Sequence, residues 1–314
     1  MKKWIVLFLV VLILTVLCIY TFIPAKIVIS RIMTAEVTIG GEFRWLVQEE
    51  KWEKWWRNSD GKLHVKGEPF RYNGSVYRLK GKENNVVGIE IDQQGLKLPS
   101  LLRLISFKTD STGCLWNCEI VSGSNPLKRL MTYGQALEVS KNMQGILQNL
   151  KAYISNPQNV YQFSIFRTSM HDTALLSARY TSAVYPTTRE IYGYLSVLEK
   201  SIQKQHGRIT GFPLMNVRIV DSGRFETQVA LPTDRLLNND GKIFYRRMVP
   251  GNFLCAEVKG GLSTVQEAKN QLDYFLHDNN KDQMAIPFEQ LMTNRFDEPD
   301  TSKWITRVYL PVMQ

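Results

Sequence analysis

The sequence predicts an α+β protein with a membrane-spanning helix at its N-terminus and two soluble domains after it. Three observations carry this prediction. An apolar run opens the chain, a series of short strands followed by one long helix comes next, and the second half contains one strand–helix–strand–strand pattern twice. A chain of 314 residues is long enough for two domains of about 100–200 residues each.

The apolar run has the length and composition of a transmembrane helix. Residues Ile5 to Ile23 contain no charged side chain and are mostly Val, Leu, Ile and Phe, which suits an α-helix that crosses ~30 Å of hydrocarbon. A cleaved signal peptide is the alternative, but its apolar core is usually only ~7–15 residues long, and no small-x-small site follows Tyr20. We therefore predict an uncleaved anchor in residues 1–25 that contacts membrane lipid through residues 4–24.

The charges beside this anchor give a weak orientation signal. The short tail before it carries Lys2 and Lys3, which favours a cytoplasmic N-terminus, although Lys26 and Arg31 follow on the other side. For a bacterial protein, this predicts a single-pass inner-membrane anchor with the soluble domains on the periplasmic side. The sequence leaves open whether the chain forms a homodimer through this segment.

Charge and cysteine usage argue against two function classes. The formal net charge is +10, but Lys and Arg are scattered among Asp and Glu, so we predict no nucleic-acid partner. Cys114 and Cys118 lie four apart in an expected strand, about 13 Å from each other and too far for a disulfide. The four cysteines and four histidines show no metal-ligand spacing. We predict neither a metal nor a cofactor.

The first soluble domain, residues 26–156, reads as strands closed by a helix. Tyr72-Asn73-Gly74-Ser75 between alternating apolar flanks signals a hairpin. Other strands are expected at Ile27–Val37, Val86–Ile91, Leu101–Lys108 and Leu115–Val121, with an amphipathic stretch at Glu42–Arg57. A long helix starts near Pro126 and ends before Asn156-Pro157. Its apolar residues at helical spacing are Leu127, Leu130, Leu137, Leu147, Leu150 and Ile154.

The order of these elements resembles the START-like, or polyketide-cyclase-like (SRPBCC), helix-grip fold. Trp45-Leu46-Val47 through Trp52-Glu53-Lys54-Trp55-Trp56 is similar to that family's opening W-x-x-W(W) pattern. The resemblance implies a cavity lined by strands and gripped by the long helix, usually for apolar ligands. The simpler interpretation, which we favour for these four tryptophans, is that they are core aromatics. Whether this domain binds its own ligand stays open.

The second soluble domain, residues 157–314, contains an internal duplication over residues 160–235 and 242–314. Matching segments are Ala174–Ala178 with Asn252–Ala256, Val229–Pro232 with Val308–Pro311, and Pro213-Leu214-Met215 with Pro287-Phe288-Glu289. Each half also shows a helix start with capping-box spacing, at Thr187 with Glu190 and at Thr264 with Glu267. The apolar stripes are Ile191, Leu195, Leu198 and Ile202 in the first helix and Ala268, Leu272, Phe275 and Leu276 in the second. Each half is therefore expected to form a βαββ unit.

Two such units in tandem resemble the GyrI-like (gyrase-inhibitor-like) effector-binding domain of multidrug-sensing regulators. The residues that carry this resemblance are Met248-Val249-Pro250-Gly251, Glu257-Val258-Lys259-Gly260-Gly261, Thr264 with Glu267-Ala268, Pro287-Phe288-Glu289, Asp297-Glu298-Pro299 and Trp304 to Val312. The family's fold places the two units about a pseudo-twofold axis. In that family, a cleft lined by aromatic residues and closed by an acidic residue lies between the two helices.

The resemblance assigns the acidic position to Glu289, which stands where the first half has Met215. A carboxylate among aromatic rings would attract a ligand cation, whereas an exposed strand residue paired with a lysine is the simpler alternative. The expected cleft walls are Tyr185, Tyr192, Phe225, Phe288, Trp304 and Tyr309. Arg307 departs from the glutamate of many relatives, which either weakens the preference for cations or places a charge on the outer face.

Two classes of function follow from the sequence. We favour a membrane-anchored binding protein for an amphipathic or cationic organic ligand, acting as sensor, scavenger or transport accessory. The alternative is a hydrolase of electrophilic small molecules that uses Glu289 as general base. The sequence contains no G-x-S-x-G or H-E-x-x-H motif. It also shows no helix-turn-helix module, so a transcription factor is not expected. A purely structural partner of a membrane protein is a third reading.

Overall fold

The apolar N-terminal run forms a single helix, α1 (Lys2–Phe22). Within the computed structural model, which describes residues 2–170, 173–220, 223–248 and 250–313, α1 is the helix long and apolar enough to cross a membrane, with a mean hydropathy of 3.0 over Lys3–Phe22. A signal sequence near an N-terminus has the same properties. Val249, part of one motif above, lies outside the described residues.

The rest of the chain is α+β, with two curled antiparallel sheets. It divides into unit 1, Met1–Val160, and unit 2, Tyr161–Gln314. The division lies a few residues beyond the boundary expected at Asn156-Pro157. The residues between the expected and the observed boundary belong to a short helix, α5 (Pro157–Tyr161).

In unit 1 a six-stranded sheet has the order β1-β6-β5-β4-β3-β2. Its elements in chain order are β1 (Lys26–Ala35), α2 (Ile39–Leu46), α3 (Glu49–Trp55), β2 (Phe70–Tyr72), β3 (Ser75–Glu83), β4 (Val86–Gln93), β5 (Leu96–Lys108), β6 (Ser111–Val121) and α4 (Pro126–Ile154). The amphipathic stretch expected as one element is thus two helices. The Thr38 side chain caps the first by accepting from the Gly41 amide at 3.1 Å.

The hairpin predicted at Tyr72-Asn73-Gly74-Ser75 is confirmed. Tyr72 pairs with Ser75 across the turn, and the two central residues have φ angles of 47° and 81°. Positive φ at both positions is the requirement of a type I′ turn, which Asn-Gly meets at little cost. The turn therefore sets the register of β2 and β3.

The four tryptophans of the W-x-x-W(W) segment belong to the core of unit 1, as we favoured from the sequence. Trp45, Trp52, Trp55 and Trp56 are at most 3% exposed, and the rings of Trp52 and Trp56 are stacked with centroids 5.4 Å apart. Each indole N–H donates to a backbone carbonyl, so burying these groups leaves no indole donor unpaired.

The leucine stripe predicted for α4 is only half correct. Leu147, Leu150 and Ile154 are buried, but Leu127, Leu130 and Leu137 are exposed. The buried face of the helix instead runs through Ala136, Val139, Met143 and Ile146. The helix packs against β1 and β6 along that face, and the three exposed leucines lie on the opposite side.

In unit 2 an eight-stranded sheet has the order β11-β8-β10-β9-β13-β14-β12-β7. The elements are β7 (Ile165–Met170), β8 (Thr173–Ser182), α6 (Thr188–Lys204), β9 (Leu214–Val220), β10 (Arg224–Thr233), β11 (Ile243–Met248), β12 (Gly251–Lys259), α7 (Leu262–Asp278), β13 (Phe288–Leu291), a 3₁₀ turn (Thr301–Lys303) and β14 (Ile305–Val312). The strand order is symmetric about the contact between β9 and β13.

That contact pairs equivalent positions of the two sequence repeats. Met215 of β9 lies directly opposite Glu289 of β13 in the antiparallel register, and these two residues correspond in the repeat alignment. Each half has its own helix-covered core. Leu176, Leu195 and Leu198 belong to the core under α6, and Leu254, Leu272 and Leu310 to the core under α7.

The two helices of unit 2 begin differently. The Thr187–Glu190 capping box of α6 is confirmed, with both reciprocal hydrogen bonds present. The expectation for α7 was wrong, because that helix starts at Leu262 with Gly261 as its N-cap and no side-chain cap. Gly260 has a φ of 142°, and a Cβ there would lie 2.5 Å from the Thr264 hydroxyl. The two glycines thus start the helix before Thr264, whose side chain packs over Gly260.

Candidate functional site

A cavity of about 620 Å³ lies in unit 2 between α6 and the segment 291–296 that follows β13. Leu195, Phe212, Leu291 and Phe296 supply apolar wall, and Tyr192 supplies a hydroxyl-bearing ring. The other lining residues are Arg189, Gly193, Ser196, Glu199, Pro213, Met292 and Asn294. Ligand sites of drug-sized molecules commonly measure about 300–1,000 Å³ and have apolar walls with few polar groups.

Two hydrogen bonds of Tyr192 hold the segment 291–296 against α6. Its hydroxyl accepts from the Arg295 amide at 2.7 Å and donates to the Thr293 carbonyl at 3.3 Å. Burial raises the pKa of this hydroxyl, an effect that the Arg295 amide opposes. The tyrosine therefore stays protonated and keeps both bonds at physiological pH.

Glu289 lies beside this wall, buried to 1% exposure and paired with two cations. One carboxylate oxygen accepts from Lys269 Nζ of α7 at 2.8 Å, and the other lies 3.8 Å from Nη2 of Arg295. A buried carboxylate is costly unless it is paired and hydrogen-bonded. Glu289 is therefore paired with a lysine, as in the simpler alternative considered from the sequence, but it is buried rather than exposed.

Arg295 is itself fixed by aromatic and hydroxyl contacts. Its guanidinium carbon lies 4.7 Å from the ring centroid of Trp304, and Nη2 donates to the Thr306 hydroxyl at 2.8 Å. The Trp304 indole N–H in turn donates to the Glu298 carbonyl at 2.7 Å. An arginine of this chain therefore sits between an aromatic ring and a carboxylate, the surroundings expected for a ligand cation.

Tyr185 and Phe225 lie near this cluster. Their rings meet edge to face with centroids 5.7 Å apart. Burial raises the pKa of the Tyr185 hydroxyl, the charge of Glu289 raises it further, and Arg295 lowers it. Tyr185, Tyr192 and Trp304 are therefore grouped around Glu289 and Arg295. Of the seven predicted site residues, only Tyr192 is among the described residues that line the cavity.

Phe288 and Tyr309 lie on the other face of the sheet, away from Glu289 and both helices. Their rings are stacked with centroids 5.0 Å apart and pack with Phe253. Phe288 also borders a second cavity of about 170 Å³ with Leu175 and Leu214. Alternate residues of a strand point to opposite faces, so the neighbour of an inward-facing Glu289 must face outward. This rule, applied to the sequence, separates these two residues from the cleft.

Arg307 also lies on that outer face. Its Nε donates to the Glu257 carboxylate on β12 at 2.8 Å, and both side chains are partly exposed. Arg307 therefore forms a surface ion pair and places no charge beside Glu289.

Sequence reasoning missed Lys269 and Arg295. Lys269 follows Val265 by four residues and precedes Leu272 by three, a spacing that puts it on the buried stripe of α7. A lysine at such a position signals a buried partner. Arg295 lies in the irregular segment after β13, and no local pattern marks it. Among the described residues, no three His, Cys, Asp or Glu side chains lie close enough to hold a metal ion.

Several solved structures resemble part of this chain at low identity. The C-terminal domain of EcmrR matches with a TM-score of 0.42 and 13% identity, over 48% of this chain and 98% of that domain. SAV2435 bound to tetraphenylphosphonium matches with a TM-score of 0.31 and 14% identity, over 48% and 94%. A hydrolase from Listeria innocua matches with a TM-score of 0.39 and 8% identity, over 48% and 92%.

Comparison with protein-family profiles and with curated protein sequences gives no match. The structural likenesses are too distant, in identity and in TM-score, to decide a ligand or an activity for this chain. Its function must be argued from its own site.

Proposed function

We propose that this chain is a membrane-anchored protein that binds an amphipathic small organic ligand in the cavity between α6 and the segment 291–296. The observation that carries this proposal is the cavity itself, about 620 Å³ in volume, with Leu195, Leu291 and Phe296 in its wall. A ligand of that size gains most of its affinity from apolar burial. The Tyr192 hydroxyl, already bonded to the segment, keeps the wall in place.

The proposal includes the two family resemblances. We propose a GyrI-like domain in unit 2, supported by the symmetric strand order and by the pairing of Met215 with Glu289 at its centre. We propose a START-like helix-grip domain in unit 1, supported by a sheet in which β1 and β6 pack against the long α4.

In this proposal the ion pairs of Glu289 with Lys269 and Arg295 stabilise the fold and do not bind the ligand. Lys269 and Arg295 already compensate Glu289, so a ligand cation gains little there unless it displaces a side chain of the protein itself. We therefore expect the cavity to rank ligands by shape and apolar area, with little preference for positive charge. From the sequence we expected an amphipathic or cationic ligand. The paired state of Glu289 favours the amphipathic ligand and gives no reason to require a positive charge.

The hydrolase alternative has less support in this arrangement. A general base needs a carboxylate oxygen within hydrogen-bond reach of the attacking water. One oxygen of Glu289 accepts from the Lys269 ammonium, and the residue does not line the cavity. We therefore propose binding without chemistry, and turnover is an outcome that the experiment can detect.

The proposed anchor is α1. We propose that it spans the bacterial inner membrane with the N-terminus in the cytoplasm and both units on the periplasmic side. The support is the exposed apolar surface of this helix. None of the segment Lys3–Phe22 is buried against the rest of the protein. An exposed apolar helix of this length needs a nonpolar environment.

The experiment uses the full chain in lipid nanodiscs and three molecules of similar shape. Tetraphenylphosphonium is a cation, tetraphenylborate an anion and triphenylphosphine oxide neutral. Binding is measured by calorimetry, with empty nanodiscs to subtract partitioning into lipid. We expect saturable binding, with tetraphenylborate, which has the shape of the cation, no weaker than tetraphenylphosphonium. Absence of saturable binding by all three would contradict the proposal.

Gly193→Leu is the variant that tests the location. Gly193 lines the cavity, and a Cβ at this position meets no atom within 4 Å. A leucine there fills part of the cavity and also favours the helix. We expect affinity to fall at least about ten-fold, or about 1.4 kcal/mol. Val197→Leu, on an exposed position of the same helix, is the matched control and should bind like the wild type.

A second assay separates binding from hydrolysis. The full chain and Glu289→Gln are incubated with aryl glycidyl ethers, and diol formation is followed by chromatography. The proposal predicts no turnover above that of empty nanodiscs for either protein. Turnover that Glu289→Gln abolishes would instead establish the hydrolase function.

A further inference from the structure

The outward face of α4 changes from apolar to polar halfway along the helix. Leu127 and Met131 are each 71% exposed, Leu130 is 52% exposed and Leu137 is 48% exposed. At 100° per residue, the exposed positions of the second half continue the same face. Those positions carry Lys141, Gln144, Gln148 and Lys151.

The apolar residues of the first half are not part of the core of unit 1. The helix buries its opposite side, where Thr132, Ala136 and Val139 begin the stripe that faces the sheet. A solvated helix surface normally carries polar residues, as the second half of α4 does. A contiguous exposed patch of large apolar side chains indicates an interaction surface.

The start of α4 is tied to the end of α1. Nη1 of Arg129 donates to the Ile23 carbonyl at 2.9 Å, and its guanidinium carbon lies 4.5 Å from the centroid of the Tyr20 ring. The Tyr20 hydroxyl donates to the Ser124 carbonyl, and Ile23 is only 7% exposed. These contacts join the last turn of α1 to the first turn of α4.

The position of this junction identifies what covers the apolar face. The apolar surface of α1 ends at Phe22, so a bilayer crossed by α1 has its interface at that level. The first turn of α4 lies beside that end of α1, so in such a bilayer the exposed Leu127, Leu130 and Met131 of the first two turns would lie near the boundary between headgroups and acyl chains. The exposed polar face of the second half suits contact with water instead.

We propose that the first three turns of α4 lie in the membrane interface and that this lipid contact, together with α1, fixes the orientation of unit 1 on the bilayer. The proposal rests on the membrane anchor proposed above. It adds a second membrane contact through α4, which would be absent if α1 only held unit 1 near the bilayer through a flexible linker. Lys128, exposed beside the apolar face, is placed to meet anionic headgroups.

The test uses the full chain with a single reactive cysteine on α4. Cys18→Ser removes the exposed thiol, and the other three cysteines are buried. Leu130→Cys and Gln148→Cys, on the same face of α4, are labelled with the fluorophore NBD and placed in vesicles of phosphatidylcholine and phosphatidylglycerol. Both positions are exposed, so labelling leaves the core intact. A third variant, Leu12→Cys, reports on α1.

We expect the label at position 130 to show blue-shifted emission and several-fold quenching by shallow spin-labelled lipids. The label at 148 should instead be quenched by aqueous iodide. Aqueous quenching at both positions, with lipid quenching at 12, would overturn the α4 proposal and leave the anchor intact. Aqueous quenching at position 12 would overturn the anchor, and with it the α4 proposal.

A second copy of the chain is the competing occupant of this face. It would protect the label at 130 from both quenchers and allow a disulfide between two Leu130→Cys chains under mild oxidation. That result would overturn the lipid proposal. Lipid quenching without this cross-link would support it.

Discussion

At the scale of single residues, the buried glutamates Glu289 and Glu42 differ in the partners that surround their carboxylates. Glu289 is compensated by Lys269 and Arg295. Glu42 of α2 is 0% exposed, and among the described residues its carboxylate has no hydrogen-bonding neighbour other than the Cys114 thiol. The Cys114 thiol lies beside it and lowers its pKa, but burial dominates and raises that pKa from 4.5 to about 7. Glu289 therefore has two cationic partners, whereas burial shifts Glu42 towards its neutral form.

For the first, we predict that Glu289→Met destabilises unit 2. The substitution copies Met215 of the other repeat but leaves Lys269 and Arg295 unpaired, at a cost of about 3 kcal/mol. Adding Lys269→Met should restore part of the loss, because it removes one unpaired cation. The measurement is pulsed alkylation of the buried Cys255 in urea. An unchanged midpoint for Glu289→Met would show that the pair contributes no net stability.

For the second, we predict that unit 1 loses stability as the pH rises from about 4.5 to about 7, the interval between the ordinary and the folded pKa of Glu42. In this interval the unfolded chain has already lost the proton that the folded chain keeps, so ionisation favours unfolding. Above pH 7 the cost is of the order of 3 kcal/mol. Glu42→Gln should remove the pH dependence, stabilising the unit at pH 8 more than at pH 5. Alkylation of Cys114 and Cys118 in urea measures this, and a wild type without pH dependence would contradict the prediction.

At the scale of elements, the helices α6 and α7 hold corresponding places in the two repeats but start by different means. The Thr187 side chain and Glu190 form a reciprocal pair at the start of α6. At α7, Gly261 takes the cap position and Thr264 lies inside the helix. Similar sequence spacing therefore produces a cap at one helix only.

We predict that Thr187→Ala weakens the start of α6 by about 1 kcal/mol, the usual value of a lost N-cap. Thr264→Ala should cause no such loss, because no cap bond exists there. Hydrogen–deuterium exchange of the first-turn amides in both helices measures the difference. Equal acceleration in both variants would mean that Thr264 caps α7 in solution.

At the scale of the whole molecule, each unit contains its own buried core and its own buried cysteines. Cys114 and Cys118 lie on β6 in unit 1, and Cys255 lies on β12 in unit 2. Burial raises the pKa of all three thiols, so each reacts slowly while its unit is folded. The cysteines thus report separately on the two units.

We predict two unfolding transitions for the full chain. In rising urea, pulsed alkylation followed by mass spectrometry should give one midpoint shared by Cys114 and Cys118 and another for Cys255. Glu289→Met should move only the Cys255 midpoint, and Glu42→Gln only the other. A single shared midpoint that both variants move together would show that the units unfold as one cooperative body.

Parts of the candidate site could be predicted from the sequence, and others could not. The repeat alignment singled out Glu289 against Met215, and spacing alone would have marked Lys269 as inward-facing. Strand alternation would have removed Phe288 and Tyr309 from the cleft. Arg295 had no signal, because its position depends on the path of an irregular segment and on the Trp304 ring that receives it.

By itself the sequence determined the features that arise between near neighbours in the chain. These are the apolar length of α1, the Asn73-Gly74 turn, the capping box of α6 and the strand–helix–strand–strand order of each repeat. They follow from periodicity, turn chemistry and capping, which act over a few residues. Only the tertiary structure decided which groups meet across elements. The pairing of β9 with β13, the cations at Glu289 and the tie between Arg129 and Ile23 all depend on distant segments, whose contacts local propensities do not encode.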